Sequence, residues 1–229
     1  MSATNRGAVR RAADFYATPL ETVYSFLDVY DGIKSSDSIL EPSAGNGNII
    51  KALRNRGYHN YIDAVELREE ERYNLVGYAD RVGIGDFLEM EGLGPYDVVI
   101  GNPPFSKALE FVKKSLEIVR PGGRVIMLLR TAFLESEARF QFWKDNPLSG
   151  LYTLHKRPSF TGKGTDATSY SWFVWYKSEQ TDRQTDNTRY LREAVRIDNL
   201  YLRYRGFRLR LVNKGQEAGA WISVHYHME

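Results

Sequence analysis

The chain has 229 residues, 42% of them hydrophobic and 26% charged, enough for one sizeable core or a core with a small appendage. Thirty-one basic against 29 acidic residues give a net charge of +2, which excludes a global polyelectrolyte signal for nucleic acid and makes any basic surface local. The absence of cysteine excludes disulfides, thiolate metal sites and cysteine nucleophiles.

His59, His155, His225 and His227 lack metal-ligand spacing, and the last two alternate along an expected strand as surface residues, so no metal is expected. Arg6, Arg10 and Arg11 at the start are not followed by an apolar core, and no run approaches the ~20 apolar residues of a membrane span. These features lead to the expectation of a soluble cytoplasmic protein without a membrane partner, as a monomer or weak dimer.

Residues 1–13 read as a loose basic arm. Asp14-Phe15-Tyr16-Ala17-Thr18-Pro19 then suits a helix start, with Val23, Phe26 and Leu27 at helical spacing. The plain reading of Thr18 and Pro19 is a cap; the functional one is a hydroxyl and backbone amides able to hold a carboxylate. Ser38-Ile39-Leu40 is a short strand. It ends in Glu41-Pro42-Ser43-Ala44-Gly45-Asn46-Gly47-Asn48, before Ile49, Ile50 and Leu53 begin a helix. A glycine turn between strand and helix lets a ligand approach the backbone. Glu41 would meet an ammonium group there, which a diphosphate lacks, and the third glycine of a dinucleotide fingerprint is missing.

The second strand, Ile62-Asp63-Ala64-Val65, ends at Glu66 and Leu67, at about the distance where an acidic residue reaches a ribose hydroxyl pair. Residues 68–78 read as a charged surface helix. Val82-Gly83-Ile84 is a third strand followed by Gly85-Asp86-Phe87. Asp86 can accept from an adenine amino group while Phe87 stacks on its ring, although aspartate is also an ordinary turn residue.

The fourth strand runs from Tyr96 to Ile100 and breaks into Gly101-Asn102-Pro103-Pro104-Phe105. An exocyclic amine conjugated to an aromatic ring is a poor nucleophile until its two hydrogens are held by acceptors. The Asn102 side-chain carbonyl can hold one and the Pro103 carbonyl the other, with no competing N–H on the proline. Phe105 offers a flat face for a planar base. The plain alternative is a buried strand ending in a proline turn with a core phenylalanine.

Residues 106–119 follow helical spacing, and Pro121-Gly122-Gly123 is expected to stop that helix. Val125-Ile126-Met127-Leu128-Leu129 is apolar throughout and therefore central. Arg130 leaves it, a helix with Phe140 and Trp143 runs to Pro147, and residues 151–154 form a sixth strand. The loop 155–168 contains Arg157, Phe160 and Lys163, and residues 170–176 return as an aromatic strand. Strand-helix units followed by a hairpin-like pair predict a doubly wound, Rossmann-like α/β sheet of seven strands with the last one antiparallel. Residues 180–187 read as a linker, and the tail as a small β-rich appendage with strands at 199–204, 207–212 and 220–226. Its arginines and interleaved tyrosines suit phosphate contact and base stacking, as equally they suit a solvated strand face.

The series Thr18-Pro19, Glu41 to Gly47, Glu66, Asp86 and Asn102-Pro103-Pro104-Phe105 resembles the ordered motifs of class I S-adenosylmethionine-dependent methyltransferases acting on adenine amino groups. The order is like that of the gamma class of adenine DNA methyltransferases. Leu128-Leu129-Arg130, Phe133-Leu134-Glu135, the segment from Arg157 to Gly162 and Trp172-Phe173-Val174-Trp175 are similar to small phage and prophage members described as DNA methyltransferases. The resemblance covers residues 14–177 and leaves the tail unmatched. It implies a catalytic domain over 14–178, an appendage over 179–229, S-adenosylmethionine as cofactor and DNA as partner, with RNA as the alternative.

It further implies Thr18 near the methionine carboxylate, Glu41 near its amino group, Glu66 on the ribose and Asp86 with Phe87 on the adenine, within a cofactor site spanning Thr18, Pro19, Glu41, Ser43, Ala44, Gly45, Asn46, Gly47, Glu66, Leu67, Asp86, Phe87 and Asn102. Asn102, Pro103, Pro104 and Phe105 would form the catalytic turn, and Phe105, Arg130, Arg157, Phe160 and Lys163 would meet nucleic acid. Phe105 replaces the commoner tyrosine, and the tail is far smaller than a typical recognition domain. A protein-glutamine methyltransferase and a catalytically idle phage DNA-binding protein are lower-ranked alternatives.

Overall fold

The computed structural model describes residues 17–160, 166–178, 201–204 and 207–210. The basic arm, Lys163, the linker and the expected strand at 220–226 lie outside them. Seven strands form one sheet: β1 (Ile39–Glu41), β2 (Ile62–Glu66), β3 (Arg81–Ile84), β4 (Tyr96–Gly101), β5 (Val119–Arg130), β6 (Gly150–Thr153) and β7 (Tyr170–Tyr176). Their order across the sheet is β3-β2-β1-β4-β5-β7-β6. The pairs from β3 to β5 are parallel, and β7 runs antiparallel between β5 and β6. The single antiparallel strand is the one the sequence predicts, and the described residues between β6 and β7 contain no crossover helix of the kind that parallel neighbours need.

Side-chain alternation splits the interior into two cores, one on each face of the sheet. Val98, Ile100, Ile126, Leu128, Trp172 and Val174 point one way, where α1 (Leu20–Leu27) and α2 (Asn48–Asn55) cover them. Val99, Val125, Met127, Leu129, Phe173 and Trp175 point the other way, beneath α4 (Ala108–Ile118) and α5 (Phe140–Asp145). β5 is buried over its apolar run and flanked by β4 and β7, the central position its composition demands.

Two expectations need correction. The charged stretch 68–78 is not one helix: a 3-10 turn (Glu69–Glu71) leads into the single turn α3 (Arg72–Leu75), and the chain is extended at Val76. Only Leu75 of α3 is buried, so the segment lacks the apolar stripe that would hold a longer helix against the sheet. Nor does Pro121-Gly122-Gly123 stop α4. That helix ends at Ile118, and the three residues belong to the start of β5, where the register with β4 shifts between Tyr96 and Val98. Gly122 adopts φ +77, and a Cβ on Gly123 would lie 2.7 Å from the Asp97 carbonyl oxygen, so the glycines permit the irregularity.

At the end of the sheet opposite the strand carboxyl termini, Arg124 Nη1 donates to Asp37 Oδ2 at 2.7 Å with both side chains buried. The Lys34 backbone N–H reaches the same oxygen at 2.8 Å. Replacing one partner strands a buried charge. Asp37→Ala is therefore expected to destabilise the fold by about 3–5 kcal/mol, read as a lower midpoint in chemical denaturation with an unchanged slope. In the tail, β8 (Tyr201–Tyr204) pairs antiparallel with β9 (Phe207–Arg210), within the expected segments 199–204 and 207–212. No helix among the described residues is long and apolar enough to cross a membrane.

Candidate active site

β1, β2 and β3 build outward on one side, and β4 then pairs on the other side of β1. The turns after β1 and β4 therefore diverge, and a crevice opens at this switch point, where open α/β sheets take their ligands. A cavity of about 460 Å³ lies there, within the ordinary range for small-molecule sites. Thr18, Glu41, Ser43, Ala44, Gly45, Asn46, Glu66, Leu67, Asp86, Phe87, Asn102 and Pro104 all line it. Pro19, Gly47, Pro103 and Phe105 do not belong to the wall.

Gly47 shapes the turn instead. It caps α2 at φ +78, and a Cβ there would approach Leu75 Cδ2 at 3.0 Å and the Asn74 carbonyl oxygen at 3.3 Å. Pro19 is the N-cap residue of α1, as the sequence predicts.

Glu41 is buried at the end of β1. Burial pushes its carboxyl well above the usual carboxylate range and the charge of Glu66 adds to the shift, while the Ile50 backbone N–H and Lys51 act the other way. Its Oε2 is buried without a hydrogen-bond partner among the described residues. A cation carrying N–H donors would supply the missing partner, so this wall fits an ammonium group.

Glu66 is already engaged. Its Oε2 accepts the Gly45 backbone N–H at 2.6 Å, and its Oε1 accepts the Arg68 backbone N–H at 3.1 Å and Nε at 2.9 Å. The carboxylate thus braces the glycine turn, with lone pairs to spare for hydroxyl donors. Asp86 Oδ1 accepts the Leu88 backbone N–H at 2.9 Å, and its Oδ2 lies 3.5 Å from Lys107 Nζ at the cavity edge. The Phe87 ring is buried, packs on Phe111 at a centroid distance of 5.1 Å and carries Lys114 Nζ at 5.1 Å. Its expected stacking on a ligand would come from a ring already fixed in the core.

Asn102 follows β4 and its side-chain N–H donates to Thr18 Oγ1 at 3.0 Å. Its main-chain carbonyl accepts from Ser43 Oγ at 3.2 Å. Beyond it, Phe105 packs against Tyr170 at 5.5 Å and Phe160 at 6.2 Å. The Arg130 guanidinium stands 4.6 Å from the Phe105 ring centroid. Phe105 is thus close to Arg130 and Phe160, as proposed nucleic-acid contacts would be, but the guanidinium now covers it and Phe160 itself is buried. Arg157 is exposed and donates to the Ala167 carbonyl at 3.3 Å.

Residues the motif pattern does not single out also line the cavity. Asn48 fixes Thr18 by donating to its carbonyl at 2.8 Å, and Lys107 and Phe111 are part of the lining. Asn48 is legible only as the residue that opens α2, and Lys107 only as a cation shortly after the proline turn.

No protein-family model matches the sequence and no curated protein matches it. Solved structures do resemble it. A provisionally assigned class I S-adenosylmethionine-dependent methyltransferase from Listeria monocytogenes is 17% identical over 74% of this chain and 63% of its own, with a TM-score of 0.57. The modification subunit of a provisionally assigned type I restriction enzyme from Vibrio vulnificus is 19% identical over 72% of this chain and 45% of its own, at 0.55. A provisionally assigned RNA methyltransferase from Pyrococcus horikoshii is 21% identical over 72% of this chain and 89% of its own, at 0.50. This chain thus spans less than two thirds of the first two. At these identities the likeness is one of fold, and the fold of this chain is the seven-stranded, Rossmann-like α/β fold of class I methyltransferases.

Proposed function

We propose that the protein transfers a methyl group from S-adenosylmethionine to the exocyclic N6 amino group of adenine in DNA. The observation that carries this reading is the shared cavity: the Asn102 turn and the carboxylates Glu41, Glu66 and Asp86 face one space. Glu41 would hold the amino group of the cofactor, Glu66 its ribose, Asp86 its purine and Thr18 its carboxylate. The cofactor supplies a methyl carbon on an activated sulfonium leaving group.

The chain's own residues then have to position and polarise. The Asn102 and Pro103 carbonyls accept the two N6 hydrogens, which localises the nitrogen lone pair toward the methyl carbon. As the N–C bond forms, the C–S bond breaks, and the extra N6 proton passes to solvent. Positioning and dipoles supply most of the acceleration, with no tuned histidine. The target base leaves its stack to reach this site. On Phe105 it takes the place of the Arg130 guanidinium, whose exposed side chain is then available to a backbone phosphate. The arginine-rich appendage is the proposed source of further phosphate contacts.

RNA is the second reading, because the turn reads a base and not its sugar, and the Pyrococcus neighbour is matched over 89% of its length. Incorporation of labelled methyl groups into duplex DNA, single-stranded DNA and RNA, followed by nucleoside digestion, separates the two. N6-methyldeoxyadenosine as the main product is expected. Transfer to RNA alone replaces the substrate, and no transfer to any nucleic acid overturns the reading.

A further inference from the structure

Glu66 comes to the cavity with most of its acceptor capacity already used. A carboxylate offers about four lone-pair sites, shared between its two oxygens. Oε1 accepts the Arg68 backbone N–H at 3.1 Å and the Arg68 Nε–H at 2.9 Å, which fills it. Oε2 accepts the Gly45 backbone N–H at 2.6 Å and keeps one site. The two oxygens are therefore unequal: Arg68 closes one, and the other stays open beside the glycine turn.

The closure is anchored at more than one point. Arg68 and Glu66 both line the cavity. Arg68 Nη1 also donates to Glu71 Oε1 at 3.0 Å. The Glu71 backbone N–H in turn donates to the Arg68 carbonyl at 3.2 Å, so the short turn after β2 fixes these two residues relative to each other. Side-chain exposures of 19% for Arg68, 7% for Glu66 and 13% for Glu71 shield the set from solvent. A ligand hydroxyl that displaced Nε would leave a shielded guanidinium with one carboxylate fewer, so the neutral donor does not compete.

A ribose presents two neighbouring hydroxyls, and an unencumbered carboxylate accepts both, one on each oxygen. Here only Oε2 has room. We infer that the site reads one ribose hydroxyl of the cofactor through Glu66, and that Arg68 is the positioning residue that keeps the second hydroxyl from it. The inference rests on the cofactor half of the proposed function, and it narrows the hydroxyl pair expected from the sequence to a single hydroxyl. Arg68 belongs to none of the motif patterns, yet it sets how much of the ribose is recognised.

The test is calorimetric binding of S-adenosylhomocysteine and of its 2′-deoxy and 3′-deoxy forms. In wild type, one deoxy form is expected to bind at least about tenfold more weakly than the parent, the cost of a hydrogen bond to a charged group, and the other to stay within about threefold. Arg68→Met keeps the backbone N–H but frees a site on Oε1. The tolerated deoxy form should then fall behind the parent by about tenfold, because both hydroxyls of the parent now find an oxygen. The ratio for the other form should not move.

A merely structural role for Arg68 weakens all three ligands together and leaves both ratios where they were, which overturns the inference. So do two deoxy forms that lose affinity equally in wild type, a comparison that needs no variant to fold. Failure of the methyl-transfer reading looks different: S-adenosylhomocysteine then does not bind to wild type, and the inference falls with that reading. Binding with unchanged ratios overturns the inference alone.

Discussion

Asn102→Ala is expected to lower methyl transfer by roughly two to three orders of magnitude, the usual cost of removing one polarising group from a preorganised site. Cofactor affinity should stay within about an order of magnitude, because the carboxylates assigned to the cofactor sit on other strands. The physical reason is that an adenine amine remains conjugated until an acceptor holds its hydrogen. With alanine at 102, the turn after β4 keeps its prolines but loses the side-chain carbonyl. Single-turnover transfer from labelled S-adenosylmethionine, set beside equilibrium binding of S-adenosylhomocysteine, reads both halves. Full activity in this variant removes Asn102 from its assigned role. Loss of binding together with transfer would point to the Thr18 contact as structural.

Glu41→Gln should act in opposite directions on binding and on stability. A buried carboxylate that pairs with a ligand cation is worth a large factor, and its amide isostere is expected to weaken S-adenosylhomocysteine by about 30-fold or more. The free protein should become more stable in the same variant. Burial raises the Glu41 carboxyl above its ordinary value of 4.5. The folded state consequently holds this proton more tightly than the unfolded state, and the linkage has a definite sign. The stability contributed by Glu41 is complete below the ordinary carboxylate value and is lost as pH rises through the raised one. Glutamine carries no such penalty.

Binding inverts the sign. A cationic partner favours the carboxylate, so ligand binding should release a proton and tighten as pH rises toward the raised value. Calorimetry in buffers of different ionisation enthalpy measures that proton, and it should vanish in Glu41→Gln. A proton count unchanged by the substitution would assign the release to another group.

The site was legible in the sequence to the extent that it is local. Glycines between a strand and a helix, a glutamate at a strand end and a proline turn after an apolar run each constrain a few adjacent residues, and of the residues named from those patterns Glu41, Gly45, Glu66, Asn102 and Pro104 line one cavity while Gly47, Pro103 and Phe105 do not. The single-turn helix α3 shows where local patterns mislead. Charge spacing over 68–78 suits a helix, but with Leu75 as its one buried residue the segment has no face to bury. Pro121-Gly122-Gly123 likewise looks like a helix stop until β7 is present: Gly122 N–H donates to the Lys177 carbonyl at 2.7 Å and Lys177 N–H returns to Gly123 at 2.9 Å, which extends β5 through the glycines.

By itself the sequence determined which segments are strands, that one strand must reverse, and which side chains leave the strand ends, because these follow from apolar periodicity and turn chemistry within short windows. Only the tertiary structure decided that β4 pairs with β1, which opens the crevice between their turns. The same holds for Thr18 against Asn102, 84 residues apart, for the bracing of Gly45 by Glu66, and for Arg130 over the Phe105 ring. Such contacts are set by strand order and by competition for buried hydrogen-bond partners, and neither leaves a mark in the spacing of residues along the chain.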